Sequence, residues 1–304
     1  MPSRLISPAP KAMALGAGVA ALLALGGCTA LGDQSPDPSG SAEKGTANYV
    51  PNPDSPFAKA DVDPESGTIT LPVDRYFPTE GELRTVHDAR GLAMAACAAE
   101  SGMEVPWRPG IPEIGGSRLY GVWLSDSVAE FGYAVPTTPE RDAALARDAD
   151  AEPYTDGELQ ILDECYARPE IQELSEEAIP LTIPLGTEMT GVSDAALDSA
   201  EGQRVFADLD VCLQDAGLER MPHVDRYLIR GTSQEITEQN IQTALKEVEC
   251  KTSVEFVARL AAIEAQYQAP VVEKYEYELA ELRADFDALV ERARQYLSAH
   301  RPAS

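Results

Sequence analysis

From about Ser233 to Ala299 the chain is helix-forming, and Pro270 is the only strong breaker in that run. Ile236, Ile241, Leu245 and Val248 lead into Cys250, and Phe256, Val257, Leu260, Ile263 and Tyr267 carry the apolar stripe onward. Beyond Pro270, the residues Tyr275, Leu279, Leu282, Phe286, Leu289, Ala293 and Tyr296 recur at spacings of 4, 3, 4, 3, 4 and 3, the seam of a heptad. A helix over 271–298 would run roughly 42 Å at 1.5 Å per residue. Pro270 lacks a backbone donor and is expected to kink or break the helix. A seam of this kind has to be covered. Either the helix packs back on its own body, or it projects as an arm that binds a partner through Tyr275, Leu279, Leu282, Phe286 and Leu289. Both readings stand at the level of sequence.

Four cysteines punctuate the helical pattern: Cys97, Cys165, Cys212 and Cys250, with a fifth, Cys28, near the N-terminus. An even number of body cysteines suggests disulfides in an oxidising compartment. Four cysteines allow three pairings. Cys97–Cys165 and Cys212–Cys250 are preferred, because each then staples neighbouring helices within one half of the chain. Closing loops of those lengths is worth roughly 3–4.5 kcal/mol each in the chain-entropy model. A zinc site would be the rival use of the thiols. No Cys-x-x-Cys is present, and His87, His223 and His300 are not at ligand spacing from the cysteines, so neither a metal nor a cofactor is expected.

The N-terminus carries Arg4 and Lys11, then an apolar run from Ala12 to Leu25, then Gly26-Gly27-Cys28. A positive start, a short apolar segment and small residues at its end read as a secretory signal. The run, at about fourteen residues, falls short of the ~20 needed to span a bilayer as a helix. Leu25-Gly26-Gly27-Cys28 resembles the lipobox of bacterial lipoproteins. In that family the signal is cut before the cysteine, whose thiol carries a diacylglyceryl group. The resemblance implies lipidation at Cys28 and a place on the outer face of the plasma membrane. Two acyl chains anchor a protein firmly where one anchors it marginally.

Charge narrows the partners. The chain holds 51 acidic against 24 basic residues, a formal net charge of −27. Removing residues 1–27 takes away Arg4 and Lys11 and no acid, so the imbalance grows. Such a surface repels nucleic-acid phosphates and anionic head groups, which disfavours DNA, RNA and a basic-patch membrane contact. It favours cationic partners or metal ions, or serves solubility alone.

Residues 29–66 are rich in Pro, Ser, Gly, Asp and Asn and are expected to form a flexible tether. The expected organisation is thus a signal over 1–27, a lipidated cysteine and linker over 28–66, a first helical subregion over 67–190 and a second over 191–304. Within the linker, Asp61-Val62-Asp63-Pro64-Glu65-Ser66-Gly67 resembles a calcium loop superficially. Its glycine is misplaced and Pro72 stands where the bidentate glutamate belongs, so a plain turn is expected. Gly67–Val73 reads as a short extended piece confined to an edge by Pro72. Thr79-Glu80-Gly81-Glu82 and Thr155-Asp156-Gly157-Glu158 are capping boxes. The first opens a helix bearing Leu83, Val86, Met94 and Cys97, ended by Gly102. The second opens one bearing Leu159, Leu162 and Cys165. Residues 103–119 read as an irregular loop, a short helix follows from Ser125 to Phe131, and Ile179–Leu185 is a short edge strand or an extended connector. Ser193 is expected to cap a helix running to Ala216. The segments after Cys97 and Cys212 both read Cys-x4-Gly-[Met/Leu]-Glu with a proline beyond, a weak internal repeat.

The fold class that follows is mainly α: a disulfide-stapled helical body with a long C-terminal helix or helical hairpin and minor extended segments. Leu71–Tyr76 with Pro78-Thr79, Cys97-x4-Gly102, Tyr120-Gly121, Phe131-Gly132-Tyr133 and the charged C-terminal helix, taken in order, resemble a group of actinobacterial secreted lipoproteins of unassigned activity. Ala98 and Leu213 depart from the pattern, in which a methionine follows the first cysteine. The resemblance implies an extracytoplasmic helical protein with disulfides and transfers no catalytic residue.

No Gly-x-Ser-x-Gly elbow, no His-Glu-x-x-His and no glycine-rich phosphate loop is present. Carboxylate pairs such as Glu100 and Glu104 could serve a glycosidase, but a chain this acidic supplies such pairs anywhere. His87 reads as a helix-face residue. Trp107 and Trp123, with Tyr120 and Tyr133, would line a sugar or peptide cleft or form local core. The functional expectation is a membrane-anchored, non-enzymatic binding or scaffold component of the cell envelope. A solute-binding lipoprotein of a transporter and a carboxylate-dependent cell-wall hydrolase are the alternatives.

Overall fold

The computed structural model describes residues 49–300, so the signal segment, the lipobox and Cys28 lie outside the described residues. The chain enters through a hairpin of β1 (Asp61–Asp63) and β2 (Thr68–Thr70), antiparallel with Asp61 opposite Thr70. The turn is held by the Asp63 carboxylate, which accepts from the Glu65 N–H at 2.9 Å and the Ser66 hydroxyl at 2.6 Å. A 3₁₀ turn over Val73–Tyr76 leads into α1 (Glu80–Glu100). Then come α2 (Ser125–Phe131), α3 (Pro139–Ala149), α4 (Asp156–Tyr166) and the single turn α5 (Pro169–Gln172). The second half holds α6 (Leu185–Asp198), α7 (Ala200–Asp215), α8 (Glu238–Ser253), α9 (Phe256–Lys274) and α10 (Glu276–His300). The protein is mainly α, as expected. Ile179–Leu185 is a connector, and α3, with Thr138 as its N-cap, carries no apolar stripe and escaped the sequence reading.

Local chemistry sets the helix ends. At Thr79 the hydroxyl accepts from the Glu82 N–H at 3.3 Å and the Glu82 carboxylate accepts from the Thr79 N–H at 2.8 Å; Thr155 and Glu158 repeat the arrangement. Each satisfies two donors that a helix start leaves orphaned. The two glycine stops match as well. Gly102 and Gly217 both have positive φ, and the Met103 and Leu218 N–H groups reach back to the Ala98 and Leu213 carbonyls at 3.0 and 2.7 Å. This is a Schellman end, and it gives the internal repeat a physical form.

Both disulfides join the preferred partners: Cys97 of α1 to Cys165 of α4, and Cys212 of α7 to Cys250 of α8, with Cα separations of 5.8 and 5.6 Å. They staple two cores. One gathers α1, α4, the start of α6, the end of α9 and α10. The other gathers β2, the end of α6, α7, α8 and the start of α9. Helix α9 serves both, with Val271 and Val272 in the first, Phe256 to Ile263 in the second, and Tyr267 packed against each. Helix α10, although last in sequence, belongs to the first core. The boundary expected at residue 190 therefore does not separate the packing.

That placement settles how the heptad seam is covered. Leu279, Leu282, Phe286 and Leu289 are all buried, and they lie with Val86, Ala89 and Ala93 of α1 in one cluster. The seam that would have served a projecting arm is filled by the protein's own first helix. Arg283 fixes the pair by donating to the Phe77 carbonyl at 2.8 Å and to Glu82 at 3.2 Å.

Three breaks fall away from where the sequence puts them. The first is at Val254–Glu255 between α8 and α9, where Glu255 has φ of 52°, the only non-glycine positive φ among the described residues. The second concerns Pro270, which sits inside α9 while the helix ends at Tyr275. The Gln266 carbonyl, deprived of its partner by the proline ring, accepts instead from the Asn52 N–H at 2.9 Å. The third replaces the expected Ser193 cap. The segment divides into α6 and α7 at Ser199, whose hydroxyl oxygen accepts from the Gly202 N–H at 3.0 Å. A Cβ at residue 202 would stand 2.5 Å from the Ala196 carbonyl oxygen, so the turn requires glycine.

Asn52 belongs to the stretch expected to be linker. Residues 49–66 are instead packed on the body: Tyr49 and Phe57 join the first core, and Ser55, which is buried, donates its hydroxyl to Glu273. Composition suggested disorder, but two rings and two side-chain donors suffice to fix the strap along α9.

If the seam is core, truncating it is costly. Leu279→Ala should lower unfolding stability by about 2–5 kcal/mol, whereas Tyr277→Ala, two residues away and 70% exposed, should stay within roughly 0.5 kcal/mol. Urea unfolding followed by circular dichroism measures both; equal effects would place α10 off the body.

Candidate binding cleft

In α8, Ala244, Glu247, Val248 and Lys251 follow one another at helical spacing on the side that turns inward, so two charged residues occupy an apolar face. Lys251 and Glu247 are 2% and 1% exposed and meet at 2.8 Å. The ammonium also donates to the Tyr120 and Val122 carbonyls at 2.8 and 2.9 Å. All three of its N–H donors are thereby spent. Burial pulls Lys251 below its ordinary value, and the Glu247 carboxylate opposes that pull. The other Glu247 oxygen accepts from the Tyr133 hydroxyl at 2.7 Å, and burial pushes that phenol up, with the Glu247 charge adding to it.

The loop around Lys251 has little freedom. Gly121 has φ of 77°, and a Cβ there would lie 2.9 Å from the Lys251 Nζ. Arg118 donates to the Ala134 and Tyr133 carbonyls at 3.0 and 2.9 Å, tying the loop to the end of α2. The Tyr120 hydroxyl donates to Glu264 of α9 at 2.8 Å, and Ser193 donates to the other Glu264 oxygen. Glu264 and Gln268 are both buried, and the Gln268 side chain accepts from the Val73 N–H at 3.1 Å. Every buried side-chain polar atom among the described residues has a partner.

Outside this scaffold the loop meets the hairpin. The Ser117 N–H donates to the Gly67 carbonyl at 2.8 Å, and a Cβ at Gly116 would lie 2.8 Å from the same oxygen. Between hairpin, loop, α2 and the α8–α9 break lies an open cleft of about 720 Å³, within the range of small-molecule sites. Its walls are Val62, Ile114, Trp123, Leu124, Phe131 and Val257. Trp123 is held by its indole N–H, which donates to the Ser117 carbonyl at 2.7 Å. Four carboxylates stand on the rim: Glu65, Asp126, Glu130 and Glu255.

The aromatic set expected at a cleft is therefore divided. Trp123 lines it. Tyr120 and Tyr133 are spent in the buried network. Trp107 sits against Gly91 of α1, its indole N–H donating to the Asp88 carbonyl at 2.9 Å. His87 is exposed beside Glu176 at 3.5 Å, a helix-face residue, and Glu100 pairs with Arg168 at 2.8 Å. No group of three or more His, Cys, Asp or Glu among the described residues is placed to hold a metal. Glu247, Lys251 and Glu264 were missed in sequence; two charges on the inward stripe of α8 were the readable signal.

None of the described helices is long and apolar enough to cross a membrane, and the two disulfides fit an oxidising compartment. No family model, curated protein or solved structure matches the chain.

Because Lys251 and Glu247 are buried as a pair, removing one partner strands the other. Lys251→Met should cost about 3–5 kcal/mol, and Lys251→Met with Glu247→Leu should recover part of that loss. Denaturant unfolding of the single and double variants checks this; a double variant no better than the single would show that the loop carbonyls, not the stranded carboxylate, dominate.

Proposed function

We propose that the chain is a lipid-anchored, extracytoplasmic binding component of the cell envelope, held to the outer face of the plasma membrane through Cys28 and acting without catalysis. The cleft beside Trp123 carries this reading: an apolar hollow with a charged rim, built on a rigid polar scaffold, suits reversible holding of a ligand. The lipobox resemblance and the disulfide pairs support the location. The resemblance to actinobacterial secreted lipoproteins agrees with it. Residues 29–48 separate Cys28 from Tyr49, a length of chain that could reach at most roughly 70 Å. The binding role moves from the heptad seam, which is buried, to the cleft. A solute-binding lipoprotein with two α/β lobes fits less well, since the only strands among the described residues form one short hairpin.

Metabolic labelling with a fatty-acid analogue tests the anchor. Wild-type protein should take up label and sediment with membranes. Cys28→Ala should take up none, because alanine cannot form the thioether, and should lose firm membrane retention or persist as the longer precursor. Equal label on both proteins would refute the anchor.

A further inference from the structure

We infer that the cleft selects an organic cation with an apolar body, of the alkyl- or arylammonium class. This rests on the reading of the cleft as the ligand site and names what it takes. Two observations point the same way. Glu65, Asp126, Glu130 and Glu255 make no side-chain hydrogen bond or ion pair within the described residues. With 51 acidic against 24 basic residues many surface carboxylates lack a cationic partner; what sets these four apart is that they stand together around one apolar hollow. The one cation that reaches the cleft is Lys251, and its donors are already committed to Glu247, Tyr120 and Val122. An anionic ligand would thus meet four uncompensated negative charges and no available cation. A cationic head would meet those charges at the rim while its apolar body lies against Leu124, Phe131 and Val257. The Trp123 ring adds a face that attracts cations. The chain's own tether is a poor occupant, since residues 29–48 carry Asp33, Asp37 and Glu43 against Lys44 alone.

Calorimetry on the full chain carrying Cys28→Ala, with hexyltrimethylammonium, hexyl sulfate and hexanol as probes, tests the inference. The ammonium should bind, and hexyl sulfate should bind at least about tenfold more weakly. Asp126→Asn with Glu130→Gln, both exposed, should weaken the ammonium about tenfold, and added salt should weaken it further. Ala258→Phe, which fills the cleft from an exposed position on α9, should abolish binding with the melting curve unchanged. Hexyl sulfate or hexanol binding as tightly as the ammonium, and lost in Ala258→Phe, would overturn the cation selectivity and leave the cleft as a ligand site. Failure of all three probes to bind would overturn both.

Discussion

Helix α9 lies between two stapled groups of helices and is buried along most of its length, yet it carries Glu264 and Gln268 in its interior face. An unpaired buried carboxylate is costly, so the surroundings of α9 must bring donors to it. They do so from distant parts of the chain: Tyr120 from the loop, Ser193 from α6, and the Val73 backbone from the 3₁₀ turn. The same helix contains Pro270, whose freed carbonyl is answered by Asn52. The positions of the strap, the entry turn, the loop and α6 all follow from satisfying one helix.

The Lys251–Glu247 pair does for the loop what Glu264 does for the body. A buried ion pair is weak evidence of stability, because desolvation offsets much of its attraction. Its value here is in fixing geometry: one ammonium holds one carboxylate and the loop carbonyls on either side of Gly121, those of Tyr120 and Val122, and so ties the loop to α8. That tie positions Trp123 and leaves the cleft open between loop and hairpin. Spending every donor of Lys251 inside the scaffold also leaves the rim's negative charge uncompensated, and the electrostatic character of the cleft comes from this internal use of a cation as much as from the acids themselves.

Much of the fold was legible because it is local. Thr79 and Thr155 with their partner glutamates, the glycines at 102 and 217, and the 4-3 spacing of α10 are short-range signals whose physics acts within one or two turns. The preferred disulfide pairing holds because each bond stays within one half of the cysteine order, joining α7 to the next helix α8 and α1, across α2 and α3, to α4. The misses are cases where tertiary contacts override local preference. Pro270 would disrupt an isolated helix, but here the carbonyl it frees at Gln266 is satisfied by the N–H of Asn52, and the helix continues. Glu255 adopts a left-handed conformation that no local signal favours. Residues 49–66 look like linker by composition and are held by contacts to a helix some two hundred positions away.

The sequence by itself determined the mainly α class, capped starts of helices and an apolar seam on the last one, since periodicity and capping chemistry are properties of a short stretch of chain; it favoured one of the three cysteine pairings without fixing it. It could not say what covers that seam, which charges go inside, or where a hollow remains. Those were decided by the tertiary structure, because α1 and α10 come together only across two hundred residues, and because a buried lysine or glutamate is tolerable only where the fold delivers its partners.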